Sequence, residues 1–198
     1  RGRLAVTGAG RRWVGARLLV PGAGYDALVR FSRGAGLPEP LPDALGVAVR
    51  LPDAYGPGRP QDFLVTSSAD LPLVRRLLFP GRSFLHRSFS SALPYRVDGR
   101  RVVTVLRPRP GPWPRSGRGA LPDLAAAAAT GHLAYELRLA GSLGRSRTVA
   151  VLTVGDPLAP ADTEALRFDP WATGPGIVPV GRLNRLRGPS YHGSQRGR

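Results

Sequence analysis

The chain has 198 residues and a formal net charge of +16, with 29 arginines and no lysine supplying every cation besides its three histidines. A hydrophobic content of 42% is enough to build a buried core, while the absence of cysteine excludes disulfides, thiolate metal sites, iron–sulfur clusters and cysteine nucleophiles. No apolar run reaches the about 18 residues that a spanning helix needs, and residues 1–25 lack the apolar stretch of a secretory signal.

The predicted elements are short strands divided by Gly/Pro turns. Strands are expected at 11–20, 26–32, 45–51, 61–67, 101–107, 132–139 and 147–154, each rich in Val, Leu or aromatics and bounded by turn signals. Alternation such as Ala134-Tyr135-Glu136-Leu137-Arg138-Leu139 suits an antiparallel sheet with one wet face. A helix is expected at 70–79, with Asp70 as N-cap and Leu73, Val74, Leu77 and Leu78 at helical spacing. The five-alanine run within 121–130 predicts a second helix by propensity, and 182–196 a third, with Pro189 delaying its start or kinking it. The stretch 108–122 reads as a mobile loop between two halves. With turns this frequent, the pattern predicts a mainly β, α+β protein built on a closed antiparallel barrel of about eight strands with a few flanking helices. One domain, 1–198, is expected, and the missing initiator Met leaves room for a short upstream piece. The expected location is the cytoplasm, without a membrane span.

The positive charge invites a nucleic-acid reading, since cations covering phosphates release counterions. Yet the arginines are spread along the whole chain, and the skew toward Arg, Gly, Pro and Ala with a single Asn (Asn184) matches codon bias in a GC-rich, actinobacterial-like genome. No specific nucleic-acid partner is expected. Leu4-Ala5-Val6-Thr7-Gly8-Ala9-Gly10 looks like the opening strand and glycine turn of a short-chain dehydrogenase, but Pro21 and Gly22 interrupt the helix that must follow. That family's Tyr-x-x-x-Lys is impossible here. His86-Arg87-Ser88 and His192-Gly193-Ser194 resemble the His-x-Ser pairs of two-histidine phosphoesterases, although Arg and Gly stand where an apolar residue belongs. His132 opens an apolar strand and reads as a capped or half-buried residue.

Arg187 and Tyr191 are four apart, so on a helix they share a face, and a guanidinium beside a phenol favours the phenolate. A phenolate is the form in which tyrosine ligates haem iron. This Arg-x-x-x-Tyr element, with Val29-Arg30-Phe31-Ser32 far upstream, resembles the haem-dependent catalase family and its small catalase-like peroxidase relatives. Three further segments carry the likeness. Pro42 to Arg50 matches an Asp-x-x-Gly-x-Ala-x-Lys strand at Asp43, Gly46 and Ala48. Gln61 to Ser68 resembles the strand bearing the distal asparagine, whose positions Thr66 and Ser67 take. Phe168-Asp169-Pro170-Trp171, then Leu183-Asn184-Arg185, resembles the tail of the small relatives.

The resemblance implies haem as cofactor, with Tyr191 as axial ligand of the iron, Arg187 holding it ionised and Arg30 near a propionate. It implies peroxide or an organic hydroperoxide as substrate. It also implies a degenerate distal site at Thr7, Ser32 and Ser67. Thr7, in Val6-Thr7-Gly8-Ala9-Gly10, stands where the family's Val-His-Ala-Lys-Gly carries histidine, and a hydroxyl does not titrate near neutral pH. The expectation is therefore haem binding with weak peroxidase-like or vestigial activity and little catalase turnover. The alternatives are a catalase-fold pseudoenzyme or binding module without haem, a phosphodiesterase-type hydrolase, or a non-specific nucleic-acid binder.

Overall fold

The computed structural model describes residues 1–180, apart from 40, 92–93, 114–115, 117, 142, 160–161 and 164–165. Among the described residues ten strands run in chain order: β1 (Gly2–Val6), β2 (Gly24–Arg33), β3 (Leu45–Leu51), β4 (Gln61–Ser68), β5 (Ser88–Ser90), β6 (Tyr95–Val97), β7 (Arg100–Pro108), β8 (Ala134–Ala140), β9 (Arg147–Val154) and β10 (Ile177–Pro179), with the α-helix α1 (Ala120–Ala129) between β7 and β8. All named strand pairings are antiparallel. The order β5-β4-β3-β2-β1-β9-β8, closed by β7 between β8 and β5, makes an eight-strand barrel, and β6 and β10 extend from β7. The expected closed barrel is present.

Alternation drives this closure. In β3, Leu45, Val47, Val49 and Leu51 are buried at every second position while the residues between them are half-buried. The barrel is filled by such side chains, and one end is closed by an aromatic cluster. Phe31 meets Phe84 at 5.3 Å and Tyr135 at 5.9 Å between ring centres, and Phe84 stacks on Phe89 at 6.0 Å. The Tyr135 hydroxyl donates to the Phe84 carbonyl, and burial raises its pKa. Each such ring pair adds about 0.5–1.5 kcal/mol beyond the area it buries.

Two expectations fail, for local reasons. The predicted strand 11–20 is a succession of 3-10 turns at Gly8–Arg12 and Arg17–Leu19. Here Gly10, Trp13, Ala16 and Leu19 each donate to the carbonyl three residues earlier, and a Cβ on Gly10 would lie 2.3 Å from the Leu19 carbonyl oxygen. Glycine permits that approach, so the chain curls there instead of extending. The predicted helix 70–79 is a single 3-10 turn, Val74–Arg76. Pro72 and Leu73, the latter at φ 68° and ψ −45°, break the α spiral. Asp70 caps nothing, and accepts instead from the Ser146 hydroxyl at 2.6 Å. The alanine-rich helix forms at Ala120–Ala129 as expected. The predicted helix 182–196 lies outside the described residues.

Candidate functional site

Strands β2, β3 and β4 place nine outward residues in three rows. The register aligns Leu28 with Arg50 and Asp62, Arg30 with Ala48 and Leu64, and Ser32 with Gly46 and Thr66. The inward neighbours Ala27, Val29, Phe31, Val47, Val49, Phe63 and Val65 belong to the core or pack on it, so parity assigns these nine to the outer face. The middle of this face is built from small side chains. A Cβ on Gly46 would come within 2.9 Å of Ser32 Oγ, so the serine hydroxyl lies over the space a side chain would take. Ser32, Gly46, Ala48, Leu64 and Thr66 are half-buried, while Arg30 is exposed.

One edge of the face is fastened by an ion pair. Arg50 donates through Nε and a terminal nitrogen to both Asp62 carboxylate oxygens, at 2.8 and 2.9 Å. The Asp169 amide donates to the same carboxylate at 2.7 Å, and the Asp62 amide donates to the Ala172 carbonyl. Arg50 also lies over the Phe168 ring, 5.9 Å from its centre. The Phe-Asp-Pro-Trp segment is thus strapped against β3 and β4. Burial pushes the Asp62 pKa up, and the Arg50 hydrogen bonds oppose that rise. Asp43 anchors the loop that leads into β3, accepting from the amides of Ala35, Leu37 and Ala44. Those bonds, the Ala35 amide first, hold its carboxyl below the usual range.

The structure brings together some of the sequence-predicted residues and separates others. Ser32 and Arg30 share the outer face. Ser67 does not: it is fully buried on the barrel side, where its hydroxyl accepts from the Leu45 amide at 3.2 Å. Its neighbour Thr66 occupies the row with Ser32 instead. Thr7 is also apart. It follows β1, whose Val6 amide bonds to the Ala23 carbonyl, and Ser32 lies nine residues beyond Ala23, roughly 30 Å along the strand at about 3.3 Å per residue. The Thr7 hydroxyl donates to the Thr148 carbonyl at 3.4 Å. His86 and His132, both exposed, lie in loops after β4 and before β8. Among the described residues no histidine stands in the three rows. Tyr191, Arg187 and His192 lie outside the described residues. The sequence pattern does not single out Arg50 with Asp62, and it points to Ser67 where the structure has Thr66 in the row. The available signal was parity, because Thr66 differs in face from Val65 and Ser67.

Solved structures share this architecture. A bacterial catalase matches with a TM-score of 0.74 at 15% identity over 98% of this chain and 55% of that one. A fungal catalase matches with a TM-score of 0.74 at 13% identity over 98% of this chain and 56% of its own. The fold is catalase-like. The chain spans about half the length of the catalases it matches. No protein-family model and no curated protein matches the sequence.

Proposed function

We propose that this protein binds haem against the outer face of β2–β4, with Tyr191 as the residue that would ligate its iron, and carries weak peroxidase-like or vestigial activity. The observation that supports the reading best is the catalase-like barrel whose Ser32–Gly46–Thr66 row is made of small residues. Gly46 has no side chain and Ala48 only a methyl to stand against a planar ring, so the residues present fit such a group. Arg30 would meet a propionate, and among the described residues it makes no hydrogen bond or ion pair that competes for its charge. Arg187 would keep the Tyr191 phenol ionised.

When bound, haem would supply an iron centre for reaction with peroxide. The chain's own contribution on this face is limited. Ser32 and Thr66 can orient a peroxide by hydrogen bonds, but neither hydroxyl titrates near neutral pH, so neither moves a proton from one peroxide oxygen to the other. That is why little dioxygen release is expected while slow oxidation of a phenolic donor is retained. The same lack of a base favours a second reading, a catalase-fold binding module without turnover.

Reconstitution with hemin tests the proposal. The protein should give a Soret band distinct from free hemin and the absorbance of a high-spin ferric phenolate complex, and Tyr191→Phe should remove the phenolate signature. An unperturbed hemin spectrum would defeat haem binding, and a wild-type spectrum in Tyr191→Phe would remove that tyrosine from the role.

A further inference from the structure

The segment after β4 exposes apolar surface that the barrel does not use. Leu71, Leu73, Leu77 and Leu78 are 60, 71, 55 and 49% exposed, and Leu143 on the β8–β9 connection is 72% exposed. Isolated apolar side chains at a surface are ordinary, but several on adjoining loops mark a contact. These loops are held, not loose. The Ser68 hydroxyl lies 2.8 Å from the carbonyls of both Arg75 and Leu77 and can donate to either. Arg75, buried to 1%, donates to the Leu71 carbonyl and across to the Gly141 carbonyl, and the Ser146 hydroxyl donates to Asp70. One buried guanidinium therefore ties the two leucine-bearing loops side by side.

Leu73 carries a second mark. Its φ of 68° is a conformation that residues with a Cβ seldom adopt, and the side chain so presented gains no burial from the fold. Strain of this kind persists where the surroundings over-determine it and clusters at functional surfaces.

Charge decides the occupant. Asp70 is the one carboxylate in segments 69–79 and 141–147, and it is turned to Ser146, Arg75 and Arg138. Arg145 and Arg147 are exposed beside Leu143. A second copy of this chain meeting it through the same face would bring the same cations to the contact and be repelled. An anionic lipid surface offers opposite charge at its headgroups and apolar depth just below them, the combination that holds interfacial segments.

We propose that the leucine-bearing loops 71–78 and 143–147 form a shallow insertion edge for an anionic lipid bilayer. The protein would lie on the membrane surface through these loops; no helix among the described residues is long and apolar enough to span one. This inference is independent of haem, so its test needs none.

Cosedimentation of the full chain with phosphatidylcholine–phosphatidylglycerol vesicles, against phosphatidylcholine alone, reads it directly. Binding should favour the mixed vesicles and survive moderate salt. Leu73→Gly with Leu143→Ser should weaken partitioning by about tenfold or more, because the leucines supply the apolar part of the energy. Leu73→Gly also relieves the strained backbone, so a melting temperature that does not fall excludes misfolding as the cause. Arg145→Ser with Arg147→Ser should weaken binding to the mixed vesicles only. Equal binding by the leucine variant would mean charge alone and overturn the proposal, as would no binding at low salt. A concentration-dependent dimer abolished by the leucine substitutions would assign the face to a second copy and overturn it equally.

Discussion

Removing Arg50 should expose how much of the outer face depends on one ion pair. Asp62 is completely buried and its only cationic partner among the described residues is Arg50, whose side chain is 22% exposed. In Arg50→Ala the carboxylate keeps the Asp169 amide but loses two charged donors. Breaking a buried pair from one side costs about 3–5 kcal/mol, a large share of the about 5–15 kcal/mol that stabilises a domain. At about 2–4 °C per kcal/mol for a chain of this size, the melting midpoint should fall by roughly 10 °C. Burial already raises the Asp62 pKa, and loss of Arg50 raises it further above the unfolded value. The folded state then holds a proton that the unfolded state has released. The penalty therefore grows as pH rises from the unfolded pKa through the folded one, and it is relieved below both. Thermal unfolding followed by circular dichroism at about pH 4 and about pH 7 separates these cases. Arg50→Met with Asp62→Asn should recover most of the loss, since no charge is stranded and the Asn oxygen still accepts from Asp169. A single-variant loss below about 1 kcal/mol, the range of an exposed pair, or a larger loss at acid pH than at neutral, would refute the reasoning.

Asp43 predicts the opposite pH limb. Its pKa is lowered in the folded state, so its contribution is full above the unfolded value and is lost as pH falls through the lowered one; Asp43→Asn should lack that acid-side decline, and superimposable acid limbs in urea titrations would contradict this. Thr7→His in the hemin-reconstituted protein should give no rise in dioxygen release from peroxide, because residue 7 stands at the far end of β1 from Ser32; an oxygen-electrode rate well above wild type would return that position to the distal row.

The parts of this fold written in period-two patterns were readable, and those written in close approaches were not. Leu45–Leu51 and Arg147–Val154 coincide with the expected strands because each alternates buried and less buried residues throughout much of its length. At 11–20 the apolar residues suggested extension, but Gly10 against Leu19 is a contact between backbones that no propensity encodes. Segment 70–79 has helical spacing of its leucines, yet Arg75 is buried and the leucines face out, the reverse of an amphipathic helix. Strands of three residues, as in β5, β6 and β10, are too short to carry a period.

The outer face shows the same division at the level of the site. Ser32, Gly46 and Thr66 are separated by 14 and 20 residues, and none is an uncommon residue in a loop or strand. They become a row only through two antiparallel registers, Ser32 with Gly46 and Gly46 with Thr66. A shift of one residue in β4 would put Ser67 opposite Gly46 and turn Thr66 into the barrel. What keeps that register is the other face, where Phe63 and Val65 must stay in the core. The hydrophobic interior therefore determines which polar residues meet outside, and Gly46 leaves the space in which Ser32 sits among them.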